Sequence, residues 1–264
     1  MVSSKLALAS VLVVVASLAQ PTGSEASAAL RSNDQGNPSS SLRPEGSKPA
    51  VTPEMRGDIY MARKMYREAI EVYRQAPVSP VIMNKIGIAY HHMLDLDMAK
   101  KYYERAVKLN KHYSEAINNI GTIHYAKRNY RQAVSQYKKA LKLAPYSASI
   151  HSNLGTAYFA RKKYKDAMKH YELALQLDPE VFEHRSTSGV LLQERTVQER
   201  AKFHFYLAKT YAKAGMADRA LQYMRKALEE GFKDRKKFTE DPEFAALRDL
   251  PEFQQLLAME TRVL

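Results

Sequence analysis

Eight histidines, at positions 91, 92, 112, 124, 151, 170, 184 and 204, are the first candidates for metal binding or proton transfer. Only His91 and His92 are close in sequence. Neighbours on a helix point about 100° apart, which is poor geometry for one ion. Cys is absent, which removes thiolate ligands, Cys nucleophiles and disulfides. No His-Glu-x-x-His, no glycine-rich phosphate loop and no Gly-x-Ser-x-Gly occurs. Carboxylates are plentiful, but none is marked out by its spacing. The expectation is a protein with no catalytic residues, no metal ligands and no cofactor.

The elements that would position any chemistry must come from the rest of the composition. The chain has 264 residues, 45% of them hydrophobic, enough to bury a core. Tyr occurs 17 times and Trp never. The formal charge is +13. Residues 1–52 hold four basic and three acidic residues, so nearly the whole excess belongs to residues 53–264. Such a field favours anionic partners and says nothing about fold.

Residues 1–28 have the layout of a secretory signal peptide. Lys5 gives a basic head, Leu6–Ala19 is an apolar run of 14 residues, and Ala26-Ser27-Ala28 has the A-x-A spacing for cleavage after Ala28. A membrane span needs about 20 apolar residues. Residues 29–52, rich in Ser, Asn, Gly and Pro, are expected to be a disordered linker. The protein is therefore expected to be exported, to the periplasm or the extracellular space.

From residue 53 onward the chain repeats itself. Gly87, Gly121 and Gly155 lie 34 apart, as do Tyr90, His124 and Tyr158. The same interval separates Ala99, Ala133 and Ala167; Tyr103, Tyr137 and Tyr171; and Ala106, Ala140 and Ala174. Pro145 and Pro179 close two of the units, with Lys111 in that place in the unit before. Within a unit the apolar positions follow helical spacing twice over, so each unit is predicted to be a pair of helices. Gly155 and Ala167 are expected to face each other where the helices cross, and Tyr171 to fill space against the next unit. A weaker unit around Gly57, Tyr60, Ala69, Tyr73 and Ala76 lies 30 residues earlier, and another around Leu207, Ala208, Tyr211, Ala220, Met224 and Ala227 lies 53 residues after the third strong one.

This pattern of Leu-Gly, Tyr, Ala, Tyr, Ala and Pro resembles the tetratricopeptide repeat family. The large aromatic of that family is replaced by Met83, Ile117 and His151. The resemblance implies an all-α fold, an α-solenoid of antiparallel helix pairs, with four repeats over 53–181 and a fifth over 197–231. Nineteen extra residues separate the last two; their non-helical part, 182–196, is read as an insertion, and Thr196 with Glu199 as the capping box of the next helix. Residues 232–264 are expected to form a helical cap carrying Phe244, Leu247, Phe253, Leu256 and Leu257, because a solenoid must hide the exposed face of its last unit. Asp241 is expected to cap a helix that starts at Pro242.

In this family ligand peptides lie along the concave surface formed by the first helix of each pair. Alignment on the glycines puts Asn84, Lys85, Asn118, Asn119, Thr122, Tyr125, Asn153, Thr156 and Phe159 on that surface, with Tyr206 and Lys209 from the last repeat. Asparagine carries both a donor and an acceptor, which suits the backbone of an extended peptide. The function implied is a non-catalytic scaffold binding a protein or peptide partner, with no nucleic acid and at most peripheral membrane contact. The alternative is adhesion to an anionic envelope polymer or membrane surface. It would use the basic second helices, through Lys100, Lys101, Arg105, Lys108, Lys138, Lys139, Lys142, Lys165 and Lys169.

Overall fold

The computed structural model describes residues 51–183 and 196–259. The expected signal peptide, all but the last two residues of the expected linker, residues 184–195 of the insertion and residues 260–264 lie outside the described residues. Among the described residues the fold is all-helical, without a strand. Five antiparallel pairs follow one another. They are α1 (Pro53–Ala62) with α2 (Tyr66–Tyr73), α3 (Pro80–His92) with α4 (Leu96–Leu109), α5 (Ser114–Ala126) with α6 (Tyr130–Leu143), α7 (Ala148–Ala160) with α8 (Tyr164–Leu177), and α9 (Val197–Lys213) with α10 (Ala217–Glu229). Each pair packs on the next, which makes a solenoid. No helix among the described residues is long and apolar enough to cross a membrane.

Each of the first four pairs closes on one steric contact, while the fifth has Ala208 and Met224 in the same columns. The tyrosine of the second helix lies flat on the glycine of the first. A Cβ placed on Gly57, Gly87, Gly121 or Gly155 would sit 2.3–2.6 Å from the ring of Tyr73, Tyr103, Tyr137 or Tyr171. No side chain fits there, so the column admits glycine alone at this helix separation. Tyr171 therefore packs within its own repeat, a contact that adds to the expected packing against the next one. Its edge does also reach the next unit, at Phe203, with ring centroids 5.8 Å apart. The backbone of Ala167 joins the same crossing, 3.1 Å from where a Gly155 Cβ would be.

The turn inside each pair is also repeated. Lys64, Leu94, Arg128, Lys162 and Gly215 all adopt positive φ, between 58° and 74°. Around Leu94 the amide of Asp95 bonds to Tyr90 O at 3.0 Å and that of Leu94 to His91 O at 2.9 Å. The other four turns have the same pair of bonds. This is the double bond of a helix end that turns through a left-handed residue. Only the fifth repeat fills the slot with glycine, the residue that suits it. The other four carry side chains in a region that costs an L-residue about 1–2 kcal/mol.

The C-terminal end is sealed by α11 (Lys236–Glu240), a 3-10 turn over Pro242–Leu247 and α12 (Pro251–Ala258). Phe244, Leu247, Phe253 and Leu256 are buried as expected, and Leu257 is half-buried. Phe238 belongs to the same cluster and packs edge-on against Phe205, with centroids 5.1 Å apart. Asp241 stands at the N-cap and Pro242 follows it as expected, but the element is a 3-10 turn and the carboxylate is engaged by Lys209 instead of making a cap bond. Thr196 and Glu199 do make the capping box that starts α9.

The two repeated contacts give opposite expectations for substitution. Gly155→Leu should overpack the crossing and cost about 1–3 kcal/mol. Leu94→Gly, at a site 79% exposed with φ 62°, should raise stability by about 0.5–1 kcal/mol. Urea unfolding of both variants checks the pair.

Candidate functional site

The first helices stand side by side, and their facing side chains meet in a fixed register. Two columns, three and two residues before the glycine of each repeat, make the rungs. Lys85 of the second repeat donates to Glu54 at 2.7 Å and to Asp58 at 2.8 Å in the first. Asn119 Nδ2 of the third donates to Asn84 Oδ1 of the second at 2.9 Å. Asn153 Nδ2 of the fourth donates to Asn118 Oδ1 of the third at 3.1 Å. Asn118 Nδ2 reaches across to Asn119 Oδ1 at 3.4 Å, which joins the two amide rungs. Asn84 also donates to the Tyr113 hydroxyl, at 3.5 Å.

This placement differs from the one expected for peptide-binding amides. Asn84, Asn118, Asn119 and Asn153 are all at most 5% exposed. Three hydrogen bonds run among these four amides. A buried amide must find a partner inside the protein, and here the partner is the same residue type one repeat away.

The threonines have a second internal task. Thr122 Oγ1 accepts from the Tyr137 hydroxyl at 3.3 Å and donates to Asn118 O. Thr156 Oγ1 accepts from the Tyr171 hydroxyl at 3.4 Å and donates to Ser152 O. In the first repeat Asp58 serves Tyr73 the same way, at 2.7 Å. In the second repeat this column holds Ile88, and the buried Tyr103 hydroxyl has no partner among the described residues. Burial pushes the hydroxyls of Tyr73, Tyr103 and Tyr137 far above the usual range, with Asp58 adding to the effect at Tyr73. All three stay uncharged, and Tyr73 and Tyr137 act as donors.

The remaining candidates lie toward the C-terminal repeats. Tyr125 is buried against Tyr130, with centroids 5.2 Å apart. Phe159 is buried among Tyr164, Phe203 and Tyr206. Tyr206 is half-buried and stacks on Tyr164 at 4.7 Å, and the Lys202 ammonium lies 4.2 Å from the Tyr164 ring of that pair. Lys209 pairs with Asp241 at 2.9 Å and Glu243 at 3.1 Å, which ties the last repeat to the cap. Burial works against the charge of Lys85 and Lys209, but their two carboxylate partners outweigh it and hold both ammonium groups above the usual lysine range. Of the eleven candidates, Lys85, Tyr206 and Lys209 keep appreciable surface.

The histidines group in ways the sequence did not show. His151 donates from Nε2 to Pro145 O at 3.0 Å, so its Nδ1 accepts from His170 Nδ1 at 3.1 Å. Burial, then the neighbouring His151 and Lys169, lower His170 to about 4. Burial, then His92, lowers His91 to about 4. Among the described residues no three His, Asp or Glu groups are placed to hold a metal ion.

The missed features had a faint sequence signal. Asn84 with Asn119, and Asn118 with Asn153, are each 35 residues apart, one more than the repeat. That offset is what a contact between adjacent columns of successive repeats requires.

Three tetratricopeptide repeat models match the chain, at residues 54–76, 79–145 and 118–181. No curated protein matches it. Among solved structures, MamA from Desulfovibrio magneticus RS-1 is 18% identical, covering 69% of this chain and 94% of its own, with TM-score 0.46. YrrB, described as a TPR protein with an unusual peptide-binding site, is 22% identical over 49% of this chain and 69% of its own, with TM-score 0.43. The Cut9–Hcn1 hetero-tetramer of APC/C is 16% identical, covering 78% of this chain and 35% of its own, with TM-score 0.49.

The amide rungs and the unpartnered hydroxyl should respond differently to truncation. Asn119→Ala leaves the Asn84 carbonyl oxygen without its donor and should cost about 1–3 kcal/mol, whereas Tyr103→Phe removes only an unpartnered hydroxyl and should leave stability unchanged or higher. Denaturant titration of the two variants compares them. For pH, His91 and His170 stay neutral in the fold, while the unfolded chain takes up protons near the ordinary value of 6.5. The unfolded state then binds more protons between about pH 6.5 and 4, so stability present above 6.5 is lost as pH falls through that window. The urea midpoint should drop across it, and His170→Gln should make the drop smaller.

Proposed function

Because the chain is a tetratricopeptide repeat protein, we propose that it is a non-catalytic scaffold holding a segment of a partner protein along the concave face of its first helices. The observation that carries this reading is the run of α1, α3, α5 and α7, locked side by side by the Lys85–Glu54, Asn119–Asn84 and Asn153–Asn118 rungs. A face held this way is formed before a partner arrives, so the ordering entropy of binding falls on the partner. The buried asparagines act here by fixing the spacing of the helices. Contact is left to half-exposed groups on the same face: Lys85, Ile88, Ser152, Tyr206 and Lys209. Both lysines are already neutralised by carboxylates, so the partner segment is gripped through polar and aromatic contacts more than through charge.

What supports an exported location is the order of residues 1–28, with a basic head, a 14-residue apolar run and the A-x-A site before Ala29. The partner is then another protein of the cell envelope or the exterior. A second reading has one observation in its favour. Lys101, Lys139, Lys142, Lys165 and Lys169 are exposed on the second helices, and a surface of that charge would adhere to an anionic polymer or membrane.

Ser152→Trp tests the two readings together. The residue is half-exposed on α7, and a large ring there should block the face while the fold persists. Partners captured by the wild-type protein should be released by this variant, and their retention by the wild type should change little between about 50 and 500 mM salt. If capture survives the ring but collapses with salt, the basic second helices are responsible instead.

A further inference from the structure

A shallow, open cleft of about 460 Å³ lies on the surface beside the turn between α5 and α6. Its walls are Arg128, Asn129, Tyr130, Arg131, Gln132 and Arg161. Three of the six are arginines and none is acidic. They come from two repeats: Arg128 occupies the left-handed turn of the third, with φ 58°, and Arg161 follows α7 in the fourth. Among the described residues, the guanidinium groups of Arg128, Arg131 and Arg161 make no ion pair and no side-chain hydrogen bond. Asn129 sits just before α6, and its side chain makes no cap bond, so its amide can also donate into the cleft.

At the repeat boundaries, by contrast, basic groups are paired. Lys85, Lys127, Lys209 and Lys213 each meet a carboxylate across a repeat boundary. Here three arginines from two repeats line one depression, and no carboxylate is in its lining. An anion would relieve the repulsion among them, and the number of forks says which kind. One arginine fork satisfies both oxygens of a carboxylate. Three forks and two amides exceed what a carboxylate can accept, whereas a phosphoryl group offers three oxygens and about −1.5 to −2 charge at neutral pH.

We propose that this cleft binds phosphate, held by the guanidinium groups of Arg128, Arg131 and Arg161. The site is separate from the first-helix face and does not depend on the scaffold reading. Its ligand is a phosphoryl group, either on a free anion or on a lipid headgroup.

Titration calorimetry of the full chain with pyrophosphate, at ionic strength fixed by sodium chloride, tests it. Saturable one-to-one binding is expected. Arg128→Gly and Arg161→Gln should each weaken it about tenfold or more. Lys111→Gln, an exposed charge between α4 and α5 outside the cleft, should change it less than about twofold. Arg128→Gly also relieves a strained turn, so its melting temperature should hold or rise, and lost binding cannot be ascribed to unfolding. Sedimentation with phosphatidic acid vesicles, against phosphatidylcholine vesicles, separates the sources. Pelleting that depends on Arg128 identifies a headgroup, and pyrophosphate binding without pelleting identifies a free anion. No saturable binding in either arm, or equal weakening by Lys111→Gln, overturns the proposal.

Discussion

The contact between a glycine on one helix and a tyrosine ring on the next governs this structure. It fixes how closely the helices of the first four pairs approach, because the ring occupies the space a Cβ would need at Gly57, Gly87, Gly121 and Gly155. The ring is buried and its hydroxyl must be satisfied, so the neighbouring column is constrained in turn. Asp58, Thr122 and Thr156 answer that demand, and Ile88 does not. One steric requirement thereby selects the residue types of three columns.

The same constraint determines how repeats follow one another. With each pair rigid, the first helices line up at a constant separation, and the two columns before the glycine meet across the boundary. The rungs change in kind along the chain, from an ionic group at Lys85 to amide pairs at Asn119 and Asn153. At the far end, where no further repeat continues the stack, Lys209 reaches the cap instead. A stack built of nearest-neighbour contacts must supply such an ending, and here five phenylalanines supply its apolar part.

Charge is distributed by the same geometry. Lysines at repeat boundaries find carboxylates on the adjoining unit, since the columns that meet are complementary. Those on the outer faces of the second helices stand in solvent. Arg128 and Arg131, at the turn of the third repeat, are exposed too but line one depression with Arg161 of the fourth. Basic excess in the composition thus resolves into three populations with different energetic consequences.

Much of the fold was legible in the sequence. The 34-residue interval, the glycine, alanine and tyrosine columns and the prolines after α6 and α8 state the helix pairs directly, because each repeat must satisfy the same local packing. Thr196 and Glu199 marked the start of α9 for the same local reason. The expected site was less legible. Asn119 and Asn153 occupy the right columns, yet whether an amide faces a ligand or another amide depends on the distance between first helices. That distance is set by contacts 15 and 35 residues away, which no local pattern encodes. The use of Asp241 by Lys209 instead of by its own helix, and the gathering of Arg128 with Arg161, were likewise decided only when separate repeats came together.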